Sequence, residues 1–135
     1  TIQGQILFEM QKLCRETGTA LIWITHDLSV IAGLADKIAV MYAGKIVEHG
    51  SIANVLDSAM HPYTKGLLCS VPSCNPRGQP LKQIPGMTPS PLGLGAGCAF
   101  RERCERRDPA CEVMPALTNS GLHSVRCHHP MADFQ

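Results

Sequence analysis

Hydrophobic and polar positions alternate in readable patterns over roughly the first half of the chain and lose their periodicity in the second. Ile2, Ile6, Leu7, Met10, Leu13 and Cys14 recur at helical spacing, with Gln3, Glu9, Lys12 and Arg15 between them. This predicts an amphipathic helix over Thr1–Glu16. Thr17-Gly18-Thr19 ends it, and Gly18 suits the left-handed residue just past a helix C-terminus. Ala20 to Ile24 is then an unbroken apolar run that stops at Thr25-His26-Asp27. Such a run predicts a central strand of a parallel α/β sheet, covered on both faces. His26 would stand beyond its carboxyl end, where ligands of these sheets bind. The plain alternative is a strand-end histidine satisfied by a neighbouring carbonyl. Leu28 to Ala35 reads as a helix, with Asp27 placed to cap its free N–H groups.

Lys37–Tyr42 and Lys45–His49 are β-rich runs separated by Ala43-Gly44, which predicts a tight hairpin closing the sheet with an antiparallel edge. Ser51–Leu56 and Pro62–Ser70 read as two short helices, the first capped by Ser51 and the second carrying Pro62 in its first turn. His61-Pro62-Tyr63-Thr64 is read as a helix entry whose Tyr63 packs on the sheet rather than as a site. From Val71 to Gly97 the composition shifts to Pro and Gly, an extended connector. The expected organisation is therefore 1–70, a connector over 71–97 and a cysteine-rich extension over 98–135.

A formal net charge of +1 and a pI near 7.6 supply no overall field for nucleic acid or a lipid surface. Arg101, Arg103, Arg106 and Arg107 alternate with Glu102, Glu105 and Asp108, which predicts a solvated, self-paired surface rather than a phosphate track. No uninterrupted apolar segment approaches the roughly 18–20 residues of a membrane span, and the N-terminus has no signal-peptide pattern, so a soluble chain is expected.

Seven cysteines change the picture. Nothing addresses the chain for export, so thiols available for metal are preferred to disulfides. Cys98-x5-Cys104-x6-Cys111-x15-Cys127 gathers four of them around Arg-rich and Pro-containing loops that could hardly form a core alone. Metal binding would staple such a region, because its free energy becomes folding free energy. The spacing lacks the paired Cys-x2-Cys knuckles of most structural zinc sites. Four-cysteine ligation also suits an iron–sulfur cubane. On spacing alone cluster, zinc, disulfides and free thiols all stay open. Cys14, Cys69 and Cys74 read as ordinary thiols, and His123, His128 and His129 as nearby substitute ligands.

The order of strand, Thr25-His26-Asp27, helix, and then Val40-Met-Tyr-Ala-Gly-Lys-Ile-Val-Glu48 closely resembles the end of the ATP-binding subunit of ABC transporters. With His61-Pro-Tyr-Thr64, Gly97-Cys98-Ala-Phe-Arg-Glu-Arg-Cys104, Cys111, Pro115-Ala-Leu117 and His123-Ser-Val-Arg-Cys127, it resembles the oligopeptide and dipeptide permease branch. The resemblance implies an α/β fold: the C-terminal fragment of an ABC-type nucleotide-binding domain, with parallel strand, flanking helices and closing β-hairpin, then a loop-rich four-cysteine extension. It implies ATP hydrolysis with Mg²⁺ driving peptide import. His26 would be the switch histidine, reaching the γ-phosphate and helping to hold the attacking water. Cys98, Cys104, Cys111 and Cys127 would hold a 4Fe-4S cluster, with zinc as the alternative. The implied partners are a second ATP-binding subunit, transmembrane permease subunits and, indirectly, a substrate-binding protein, but no nucleic acid. The implied location is peripheral, on the cytoplasmic face of the membrane.

This sequence departs from the family pattern in lacking the Gly-x-x-x-x-Gly-Lys-[Ser/Thr] phosphate loop and the catalytic glutamate. The expectation is thus a late part of a longer ATPase, inactive by itself. The competing expectation is a stand-alone metal-binding or interaction module, built on the four late cysteines and without ATPase activity.

Overall fold

Antiparallel pairing is the only kind of sheet pairing among the residues that the computed structural model describes, 2–71, 75, 78 and 80–131. They form two compact units divided between Asp36 and Lys37.

In the first unit, helix α1 spans Ile2–Thr17 and a single turn, α2, spans Leu28–Ile31. The α1 terminus is built as its sequence requires. Gly18 takes φ +67°, and the Thr19 amide donates back to the Cys14 carbonyl at 3.1 Å. Gln11 Nε2 donates to the carbonyls of Gly33 and Leu34 at 3.1 and 2.9 Å, tying α1 to the turn after α2. Leu7 is buried. The strand expected at Ala20–Ile24 is not formed, and Ile22 and Ile24 are 89% and 93% exposed. A parallel strand draws its stability from ladder bonds and covering layers on neighbouring elements. No other strand lies among the described residues of this unit. The helix expected over Leu28–Ala35 shrinks to one turn for a related reason, since so short a helix depends on packing to repay its nucleation.

The second unit holds β1 (Lys37–Tyr42), β2 (Lys45–Ser51), α3 (Ile52–Asp57), α4 (Pro62–Cys69), β3 (Thr118–Ser120) and β4 (His123–Val125), in the sheet order β1-β2-β4-β3. Lys37 faces Ser51 and Tyr42 faces Lys45, with a register shift between Val40 and Met41. The turn between them places Ala43 at φ 47° and Gly44 at φ 77°, the positive pair that suits the twist of a two-residue hairpin. Period-two alternation sends Ile38, Val40 and Tyr42 inward. The predicted hairpin is therefore present, but β2 is not an edge. It pairs on its far side with β4, Glu48 opposite Val125 and His49 opposite Ser124, so the late chain completes the same sheet.

Ser51 caps α3 by accepting from the Asn54 amide at 3.2 Å. His61 caps α4 through Nδ1, which accepts from the Tyr63 amide at 3.0 Å, with Pro62 in the first turn. Tyr63 meets Tyr42 edge-on with ring centroids 4.6 Å apart. Phe100, from the late chain, lies edge-on to Tyr42 at 5.2 Å. Such edge contacts add to the area the rings bury. The helix-entry reading of His61-Pro62-Tyr63-Thr64 is thus what the fold contains.

Glu48 is fully buried in β2. Its carboxylate accepts from the Met60 amide at 2.6 Å and the His61 amide at 3.0 Å, and lies 2.7 Å from His123 Nε2. A buried charge is tolerated only when paired and hydrogen-bonded, and these partners come from the α3–α4 turn and from β4. Arg126 adds to the seam. Its amide donates to the Val47 carbonyl at 2.8 Å, and its guanidinium to the Ile46 and Pro115 carbonyls at 3.0 and 3.1 Å.

Burial pushes the pKa of His61 down to about 4. Between that value and about 6.5 the unfolded chain binds a proton that the folded chain refuses, so stability falls as pH drops through this window. The full shift corresponds to about 3 kcal/mol. Denaturant unfolding at pH 7 and pH 4.5 should show a loss of this order, and His61→Asn, which keeps a capping oxygen but does not titrate, should remove most of it. An unchanged pH profile in His61→Asn would assign the loss to other groups.

Candidate metal centre and the histidine bend

The local chain around the late cysteines is a series of tight turns in which each thiol is set by backbone hydrogen bonds. The Cys98 amide donates to the Cys111 carbonyl at 2.9 Å, bringing two cysteines thirteen positions apart side by side. A 3₁₀ turn over Arg101–Arg103 carries Cys104 at its end, whose amide donates to the Arg101 carbonyl at 3.2 Å. A second 3₁₀ turn, Pro109–Glu112, presents Cys111. Asp108 caps it by accepting from the Ala110 amide at 2.9 Å, with Pro109 in the first turn. Cys127 follows β4, and its sulfur accepts from the His129 amide at 3.4 Å.

Gly97 is what permits the 98–111 approach. A Cβ there would stand 2.5 Å from the Cys111 carbonyl oxygen and 2.7 Å from that of Glu112. Both obstacles are backbone, so only glycine fits without moving the turn that holds Cys111.

Cys111 is buried, and Cys98, Cys104 and Cys127 are half-buried. Burial pushes the Cys98 and Cys104 thiols above their ordinary pKa, and it takes Cys127 to about 11. The neighbouring thiols add to each rise, Cys111 to Cys98, Cys98 and Cys111 to Cys104, and the other three to Cys127. The structure thus brings the four predicted cysteines into one electrostatic neighbourhood. All are unpaired by disulfide, as are Cys14 and Cys69, while Cys74 lies outside the described residues.

One group of three ligand atoms all within 4.8 Å of one another lies among the described residues, Asp108, Cys111 and His129. His129 Nε2 is 2.9 Å from Asp108 Oδ2. This buried ring nitrogen faces the carboxylate as an ion-pair partner. The ring beside it holds the Asp108 carboxyl below the usual carboxylate range. The other two histidines considered as substitutes are committed elsewhere, His123 on Glu48 and His128 Nε2 at 2.9 Å from the Val113 carbonyl. Asp108 was not among the expected ligands. Its i-to-i+3 spacing to Cys111 across a capped turn was legible, but its nearness to His129 depends on the return of the chain through β4.

The arginine stretch departs from the expected self-paired surface. Arg107 and Arg101 do face Glu102, at 3.4 and 3.3 Å. Arg103 instead reaches the carbonyls of Pro85 and Ile84 at 2.7 and 3.3 Å, and the hydroxyls of Tyr42 and Thr88 at 3.3 and 3.4 Å. Five donors on a rigid fork suit this bridging of connector and hairpin better than a lone carboxylate would. His26 occupies an exposed bend in the first unit, after a turn in which the Asp27 amide donates to Thr25 Oγ1 at 3.0 Å.

The sequence that carries these elements is similar to that of known proteins. Residues 47–111, from within β2 to the third late cysteine, match a family described as the oligopeptide/dipeptide transporter, C-terminal region. This part of the chain belongs to that family. The oligopeptide transport ATP-binding protein OppD of Escherichia coli (strain K12) is 44% identical to the chain over 134 residues, covering 98% of this chain and 40% of that protein. OppD of Salmonella typhimurium (strain LT2) is likewise 44% identical over 134 residues, with the same coverage of each chain. The oligopeptide transport ATP-binding protein OppF of Salmonella typhimurium (strain LT2) is 40% identical over 131 residues, covering 94% of this chain and 39% of that protein. The chain therefore spans about two fifths of the length of these relatives. No described helix is long and apolar enough to cross a membrane.

Gly97→Ala should cost about 1–3 kcal/mol, the range for overpacking a filled site, read as a lower denaturant midpoint. Gly93→Ala, where a Cβ meets nothing within 4 Å, should change it little. Equal effects would show that the 98–111 approach is not tight.

Proposed function

We propose that this chain is the C-terminal part of an ABC transporter ATP-binding subunit, which couples ATP hydrolysis with Mg²⁺ to the import of peptides. The observation that carries the reading is identity of 40–44% to oligopeptide transport ATP-binding proteins across 94–98% of the chain. In this reading the subunit sits peripherally on the cytoplasmic face of the membrane. It pairs with a second ATP-binding subunit, and it drives permease subunits that receive peptide from a substrate-binding protein. The organisation proposed is the ATPase part over 1–70, the connector over 71–97 and the four-cysteine extension over 98–135.

His26 is the residue of this chain assigned to the reaction. An imidazole on an exposed bend can hydrogen-bond toward a γ-phosphate or the attacking water, positioning the water and stabilising charge that develops in phosphoryl transfer. The phosphate loop and the attacking-water carboxylate belong to other parts of the parent, so the chain alone should not turn over ATP.

The extension is assigned a 4Fe-4S cluster on Cys98, Cys104, Cys111 and Cys127, with zinc the alternative. Four thiolates on one zinc, each about 2.3 Å from the ion, would lie about 3.8 Å apart. A cubane carries its thiolates on four separate irons and so spreads them more widely. The compact group within 4.8 Å among the described residues includes only one of the four sulfurs, so the four do not stand at the spacing of one tetrahedral zinc. Raised thiol pKa values mean that binding must displace protons, so affinity should rise with pH. The cluster, when bound, would act as a structural staple for the turns that hold it.

In the intact subunit, His26→Ala should lower ATP turnover by about 10²–10³-fold, the range for one lost transition-state donor, with ATP binding little changed. Unchanged turnover would remove His26 from the reaction. For the extension, anaerobic purification should give brown protein with about four irons and four sulfides per chain. Cys98→Ser should lose them while Cys14→Ser and Cys69→Ser keep them. One zinc and no sulfide would replace the cluster with a zinc site.

A further inference from the structure

Asp108, Cys111 and His129 offer a carboxylate oxygen, a thiol sulfur and a ring nitrogen, all within 4.8 Å of one another. This is the mixed oxygen, sulfur and nitrogen donor set that borderline ions accept, and it is closer-knit than the four cysteines as a set. Three features of the fold hold it together. Asp108 is fixed by its own cap, since Oδ1 accepts from the Ala110 amide at 2.9 Å and leaves Oδ2 free to turn toward His129. Cys111 is buried at the centre of the second 3₁₀ turn, its amide donating to the Asp108 carbonyl at 3.0 Å. His129 is held by its amide on the Cys127 sulfur at 3.4 Å, and its buried Nε2 lies 2.9 Å from Asp108 Oδ2. The buried ring nitrogen, the carboxylate and the thiol thus face one another closely enough for one ion to take the place of their mutual contacts. The partly exposed Asp108 and His129 side chains leave a path for that ion to enter.

We propose that Asp108, Cys111 and His129 form a single-ion zinc site that shares Cys111 with the four-cysteine centre, so that the extension holds either one zinc or the iron–sulfur cluster and never both. Zinc replaces the proton on Cys111, which passes to solvent, and the fourth position of the tetrahedron falls to water because no fourth protein ligand atom joins the group among the described residues. Three ligands and an open position make an exchangeable site rather than a closed structural one. A sulfur committed to zinc is not available to an iron of a cubane. The exclusion of one occupant by the other rests on the cluster reading above, whereas the zinc site stands on these three residues alone.

The test uses the full chain, stripped of metal under anaerobic reducing conditions and titrated calorimetrically with zinc chloride, with cobalt(II) as an optical substitute. One zinc per chain is expected. Asp108→Asn, which keeps a capping oxygen, and His129→Ala should each weaken binding at least about 10-fold with the circular dichroism spectrum unchanged, while Cys98→Ser binds zinc as the parent does. The sulfur-to-cobalt charge-transfer band should vanish in Cys111→Ser and persist in Cys98→Ser. Chain reconstituted with iron and sulfide should take up no zinc. Zinc binding that is lost in Cys98→Ser but indifferent to Asp108 and His129 would place the ion in the four-cysteine centre and overturn the proposal, as would no binding at all. A reconstituted chain carrying four irons and one zinc would overturn the exclusion. Failure of reconstitution, with the zinc pattern as expected, would sink the cluster reading and leave the zinc site standing.

Discussion

A carboxylate with no exposure to water sets the terms for the second unit. Glu48 sits in β2, and removing its charge from solvent is tolerable only because two amides of the α3–α4 turn and the ring of His123 converge on it. Those partners belong to segments more than ten and more than seventy positions away. To satisfy one side chain the chain must fold its hairpin, both short helices and its late strand together. Breaking any one contact leaves a buried charge short of a partner, which is far costlier than losing an exposed pair.

The cysteine turns inherit their order from this arrangement. β4 is held on β2 by Glu48 and by Arg126, and Cys127 comes next after Arg126. The connector is drawn onto the hairpin by Arg103 and fitted against α4 at Gly66, where a Cβ would meet Ile84 at 2.6 Å. Gly97 then lets Cys98 run against Cys111. Chemistry in the extension is therefore mechanically continuous with the hairpin. A metal bound by these thiols would add its free energy to a scaffold that already has a sheet, an aromatic cluster and buried polar links.

Elements whose cause is local were legible in the sequence. The α1 helix with its Gly18 ending, the Ala43-Gly44 hairpin, the Ser51 cap and the Pro62 helix entry each follow from residues within a few positions of one another. What escaped was set by partners distant in sequence. Ala20–Ile24 has the composition of a central strand, but a strand is a relation between neighbours, and its unit supplies none among the described residues. β3 and β4 are three residues each, too short for a period-two pattern to emerge. Glu48 reads as an ordinary polar position in an edge strand until β4 covers it. The four cysteines were visible as a set, yet the nearness of Asp108 and His129 to Cys111 requires the return of the chain. Arg103 was misjudged because its neighbours in sequence are acidic while its partners in space are carbonyls and hydroxyls.

Native-state hydrogen exchange, comparing the parent with Glu48→Gln, tests most directly whether this buried carboxylate unites hairpin and extension. In the parent the amides of Val40 in β1, Met60 in the α3–α4 turn and Arg126 after β4 should exchange through one common opening with one free energy. In Glu48→Gln all three should lose protection by the same amount. Loss of protection at Arg126 alone, with Val40 and Met60 unchanged, would contradict the account, because the extension would then be a separate unit resting on the hairpin.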